Sequence, residues 1–166
     1  MACDVLIVGF GNTLMGDDGA GPAVIAALAG RLGARARAVD GGTDSLRLPS
    51  LWQGEGEVWL VDAVAAAAAP GTVHRLGHDE VGGIPQRHAT AHQLSLPEGL
   101  RWLAHAYPEL AAVRYRMWGI EVERTALQAG LSPHVVEAVR RVAEEIVAEL
   151  ERGSPVRADA QDESSG

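Results

Sequence analysis

Three carboxylates and one histidine in this 166-residue chain stand where chemistry could be done. Asp18 closes Gly9-Phe10-Gly11-Asn12-Thr13-Leu14-Met15-Gly16-Asp17-Asp18, Asp40 opens Asp40-Gly41-Gly42-Thr43, Asp62 ends Val58-Trp59-Leu60-Val61, and His92 lies in Thr90-Ala91-His92-Gln93. A carboxylate running straight on from an apolar segment, as Asp62 does, is costly unless it is paired or bound to a cation. Asp18, Asp62 and His92 together make an oxygen, oxygen, nitrogen donor set with coordination positions left for an external ligand. Each residue also has a plainer use. A carboxylate after a strand can cap a helix or accept loop hydrogen bonds, which applies to Asp17, Asp18 and Asp40, and a lone histidine can simply end a helix.

The elements that must position these residues follow from periodicity. Val5 to Gly9, Ala36 to Val39 and Glu57 to Ala63 read as strands, the third apolar without alternation, as in a strand covered on both faces. Pro22 to Leu32 reads as a helix, and Ser45 to Trp52 as a short helix broken around Pro49. Thr72 to Leu76 follows only Val64 to Gly71, too short for a parallel crossover, so it is expected to be antiparallel. The Thr-x-x-Gln spacing from Thr90 has the form of a capping box, predicting a helix to about Tyr107 with His92 in its first turn. Val113 to Val122 is the last strand. Ser132-Pro133 opens a last helix with an apolar stripe at Val135, Val139, Val142, Ile146 and Leu150, stopped by Gly153. Trp52, Trp59, Trp102 and Trp118 are assigned to core or groove lining.

This order predicts a three-layer α/β fold: a mostly parallel, twisted five-stranded sheet with one antiparallel strand and helices on both faces. Residues 1–153 form one domain, and 154–166, small and polar, a disordered tail. Ligands of such sheets gather beyond the carboxyl ends of the strands, where Asp18, Asp40, Asp62 and His92 all fall.

Several functions are excluded or disfavoured. All fourteen basic residues are arginine, which removes Schiff-base, lysine-base and Walker-type phosphate chemistry. A net charge of −8 without a basic cluster disfavours nucleic acid and anionic membranes. A dinucleotide fingerprint from Gly9 would need glycine at Leu14, and Asp17 and Asp18 would repel a pyrophosphate. One cysteine, no apolar run of membrane-spanning length and no basic apolar leader suggest a cytoplasmic protein. Thr43 and Ser45 have no histidine and acid pair placed to make a triad.

The motifs Gly9-Phe10-Gly11-Asn12 with Leu14 and Asp17-Asp18-Gly19-Ala20-Gly21, then Asp40-Gly41-Gly42-Thr43, Val61-Asp62-Ala63, His92-Gln93-Leu94 and Gly130-Leu131-Ser132-Pro133, resemble in order the hydrogenase maturation endopeptidases, across residues 5 to about 150. The resemblance implies a peptidase of aspartyl type that removes a C-terminal extension from the precursor of a nickel-iron hydrogenase large subunit after nickel insertion. It places metal binding on Asp18, Asp62 and His92, with Asp18 a glutamate in some members, and makes Asp40 a further functional carboxylate. The nickel would be carried by the substrate, and the protein would act as a monomer. Two other readings stay open at this point: a metal-binding accessory protein without proteolysis, and a small-molecule enzyme on a doubly wound sheet.

Overall fold

The computed structural model describes residues 3–81, 95–127 and 130–153. Strand β1 (Val5–Phe10) lies at the centre of the chain's logic: all six of its residues are buried, with Val5 and Ile7 in one apolar cluster and Leu6, Val8 and Phe10 in the other. Alternation on a strand covered on both faces gives this division, and each large side chain so buried contributes about 1.5–3 kcal/mol. Around it run β2 (Ala36–Gly42), β3 (Glu57–Val64), β4 (Val73–Leu76) and β5 (Arg114–Glu121), in the order β2-β1-β3-β5-β4. All neighbours are parallel except β4, which pairs antiparallel with β5 at the sheet edge, as its short connector requires.

One face of the sheet carries α1 (Ala20–Ala27) and α5 (Pro133–Arg152), which pack on each other. The expected stripe of α5 is buried, and Ala138 and Ala143 join it. The other face is covered by α2 (Leu48–Leu51), α3 (Leu96–Ala106) and α4 (Pro108–Ala111), through Leu48, Leu96, Leu103 and Leu110. The five-stranded mixed sheet with helices on both faces is thus as expected.

Three local expectations change. Helix α3 starts at Leu96, not Thr90. Ser95 accepts from the Glu98 amide while the Glu98 carboxylate accepts from the Ser95 amide, a complete capping box. A helix continuing from Thr90 would have put Pro97 in its interior, where the ring clashes with the carbonyl four residues back, whereas from Leu96 it sits in the first turn. Pro49 likewise does not break a helix but sits in the first turn of α2, after a 3-10 turn at Ser45–Arg47. Helix α1 ends at Ala27 rather than Leu32, with Gly30 at φ +72° just beyond. Trp59 and Trp118 belong to the core and Trp52 packs against it, while Trp102 is 55% exposed on α3. The Thr90 cap, His92 and the tail at 154–166 lie outside the described residues.

Candidate active site at the carboxyl edge of the sheet

The glycines of the first loop serve packing. A Cβ on Gly21 would stand 2.1 Å from the Phe10 carbonyl oxygen and 2.8 Å from that of Val61, and one on Gly9 would stand 2.4 Å from the Gly21 carbonyl oxygen. Their absence lets the start of α1 lie directly on the ends of β1 and β3. At Gly11 the place a Cβ would take is filled by the Asp18 carbonyl, 1.9 Å away. The close approach that a nucleotide loop reserves for phosphate is used here to fold the loop on itself.

That packing sets Asp17 and Asp18 on one 3-10 turn, Gly16–Gly19, which rests against β3. The two neighbours have opposite environments. Asp17 is 1% exposed, and its carboxylate accepts the amides of Glu123 (2.9 Å), Arg124 (2.9 Å) and Ser132 (2.7 Å) and the hydroxyl of Ser132 (2.8 Å). Burial pushes its carboxyl up, but these hydrogen bonds outweigh that and hold it below the usual aspartate range. It is a structural acceptor, the plainer of its two uses. Asp18 is half-buried and takes one amide, from Asn12 at 2.9 Å on Oδ2; burial pushes its carboxyl up despite that bond. A carboxylate that has given up water for a single hydrogen bond is suited to a cation.

Asp40 and Asp62 reach the same edge from different strands. Asp40 stands opposite Gly9 on β1, while Asp62 follows Val61, the β3 partner of that same Gly9. With β1 between them, their backbones are about 10 Å apart. Alternation assigns them to opposite faces: Asp40 continues Ala36 and Ala38 toward α1, and Asp62 continues Val58 and Leu60 toward α3. Asp40 is exposed, and its Oδ1 accepts the Gly42 amide at 2.8 Å, which fixes the carboxylate on the turn. Asp62 is half-buried. Among the described residues no three His, Cys, Asp or Glu side chains gather around a metal position. His92 lies outside those residues; the helix that follows it, α3, packs on the face that carries Asp62. The structure therefore places Asp18, Asp40 and Asp62 at one edge and separates Asp40 from Asp62 by face.

Two supporting groups were not singled out from the sequence. Glu121, 2% exposed at the end of β5, accepts the Ala66 amide at 2.9 Å and pairs with His74 Nε2 at 2.9 Å, tying down the segment that leaves Asp62. Ser132 opens α5, yet its hydroxyl goes to Asp17 instead of capping the helix. A glutamate closing an apolar strand run is the signal that could have flagged the first; the second joins positions too distant in sequence to be read.

Comparisons with known proteins agree with this architecture. Residues 22–149 match the model of the HycI hydrogenase maturation protease family. The hydrogenase 2 maturation protease of Escherichia coli is 29% identical over 88% of this chain and 90% of its own length. Among solved structures, the nickel-iron hydrogenase maturation protease HybD of Thermococcus kodakarensis superposes with a TM-score of 0.69 at 28% identity, covering 88% of this chain and 97% of that one. The hydrogenase maturating endopeptidase HybD of E. coli superposes with a TM-score of 0.75 at 26% identity, covering 90% and 93%.

Proposed function

The chain belongs to the hydrogenase maturation protease family and is a peptidase, and we propose that it removes the C-terminal extension of a nickel-iron hydrogenase large-subunit precursor, recognising the nickel already held by that substrate. The observation that supports this reading is that Asp18, half-buried with a single hydrogen bond to its carboxylate, and Asp62 both stand at the carboxyl edge of the sheet, where a ligand would arrive. Asp18, Asp62 and His92 supply the ligands, two hard oxygens and an imidazole, which suit a divalent transition metal. Binding is then conditional on metal loading, so the enzyme acts only on a finished precursor. No helix among the described residues is long and apolar enough to cross a membrane.

Asp40, on β2, stays outside the ligand set, on the opposite face of the sheet from Asp62. Its Oδ1 is committed to the Gly42 amide, and Oδ2 has no partner among the described residues. In this reading Oδ2 takes a proton from a water whose oxygen bonds to the scissile carbonyl carbon, then returns that proton to the amide nitrogen as the C–N bond breaks. Attack by this water involves no acyl-enzyme. The test is cleavage of the precursor, read by intact mass. Wild type should trim it, Asp62→Ala and His92→Ala should not, and no covalent adduct should accumulate. Normal processing by both variants would overturn the ligand assignment. Binding of the precursor without cleavage would point instead to an accessory protein.

A further inference from the structure

Six large apolar side chains stand exposed among the described residues, and three of them are leucines on different loops of one edge. Leu14 follows β1, Leu46 follows β2 and Leu127 follows β5, so all three leave the sheet beside Asp18, Asp40 and Asp62. Leu14 is 62% and Leu127 81% exposed; Leu46 is 36% exposed. Single exposed leucines on a surface need no explanation, but three loops that each present one around the same carboxylates do. The loops are also built to hold them. Gly16, two residues beyond Leu14, lies so close to the Arg124 and Ala126 carbonyls that an added Cβ would stand 2.8 and 3.5 Å from them, and the Asp17 amide donates to the Arg124 carbonyl at 2.8 Å. Leu14 and Leu127 therefore project from two segments fastened together.

We propose that Leu14, Leu46 and Leu127 form an apolar rim that docks the surface of the precursor protein around its scissile segment; this rests on the function proposed above. The rim extends from the end of β2 to the end of β5, about 15 Å across the sheet, which is the scale of a protein contact and wider than a pocket for one side chain. Charge selects the occupant. A second copy of this chain would bring the rim against itself, setting Asp18, Asp40, Asp44, Asp62 and Glu123 of two copies face to face with only Arg47 and Arg124 of the same loops to offset them, and this excess of like charge opposes association. A metal-bearing client meets the same carboxylates with opposite charge while covering the leucines.

The test compares wild type with Leu14→Ser/Leu46→Ser/Leu127→Ser and with the corresponding triple methionine variant, on nickel-loaded precursor. The serine variant should raise KM about tenfold or more with kcat within about twofold of wild type, since it removes binding common to ground and transition states. The methionine variant should stay near wild type, and all three should melt alike because the side chains are exposed. Unchanged KM in the serine variant, with wild type active, would overturn the rim and leave the proteolytic reading standing. A wild type that is dimeric and made monomeric by the serine changes would assign the rim to a second copy and overturn the proposal. A wild type that neither binds nor cleaves the precursor would overturn both.

Discussion

The buried carboxylate of Asp17 is gripped twice by Ser132, whose amide donates to Oδ1 at 2.7 Å and whose hydroxyl donates to Oδ2 at 2.8 Å. The contact fastens the turn that carries Asp18 to the start of α5, 115 positions along the chain. An ionised acceptor serving four donors inside the protein is stronger than neutral pairs would be, and each donor would be left unsatisfied without it. Asp17→Asn should therefore lower unfolding free energy by about 2–3 kcal/mol and Ser132→Ala by about 1 kcal/mol. The double variant should fall short of their sum by at least about 1 kcal/mol, read by urea denaturation. Strict additivity would show that the pair is not coupled.

The seam between α1 and the strand ends predicts a contrast between glycines. Gly21→Ala drives a methyl into the Phe10 and Val61 carbonyls, which belong to backbone and cannot swing aside. It should cost about 2 kcal/mol or more. Gly33→Ala, with nothing within 4 Å of the new methyl, should change stability by no more than about 0.5 kcal/mol. Equal melting temperatures for the two variants would contradict the packing described.

Glu55 gives a pH dependence away from the active site. It is 4% exposed and accepts Arg37 Nε at 2.5 Å and the Gln53 amide at 2.8 Å. Burial pushes its carboxyl up, but the Arg37 and Gln53 hydrogen bonds and the Arg37 charge outweigh that and hold it below the ordinary 4.5. A depressed carboxyl contributes stability that is fully present above its unfolded value and is lost as pH falls through its folded one. Arg37 is a quarter exposed, so solvent reduces the pair to about 1–2 kcal/mol. The difference between wild type and Glu55→Gln should be largest at neutral pH and should shrink on acidification below pH 4.5. A difference that stays constant with pH would remove Glu55 ionisation as its source.

Glu121 should be felt in the segment that leaves Asp62. Glu121→Ala strips the Ala66 amide of its acceptor, so hydrogen exchange at Ala66 should accelerate, and stability should drop by about 2 kcal/mol. His74→Ala removes only the outer member of the pair and should leave Ala66 largely protected. Acceleration in the His74 variant alone would reverse these assignments.

Much of the fold could be read from local rules. The eight residues from Val64 to Gly71 cannot carry a parallel crossover, and β4 is indeed antiparallel; the stripe on α5 is the stripe that is buried. The start of α3 is ambiguous in the sequence because Thr90 and Ser95 both satisfy the capping-box spacing, and only Pro97 distinguishes them. At the site, the ends of the expected strands located Asp40 and Asp62, and the buried run Val58–Val61 that leads directly into Asp62 marked that residue in particular. Their assignment to opposite faces depends on register across β1, which no single strand contains. The same holds for Asp17 with Ser132 and Glu121 with Ala66 and His74: each is a buried polar group satisfied from a distant segment, and distance along the chain hides the partner.

The central claim is that the enzyme recognises its substrate through bound nickel. Purified large-subunit precursor, prepared with and without nickel, is incubated with the wild-type chain and followed by intact mass. The account predicts loss of the C-terminal extension from the nickel-loaded form and none from the nickel-free form. Equal trimming of both would contradict it.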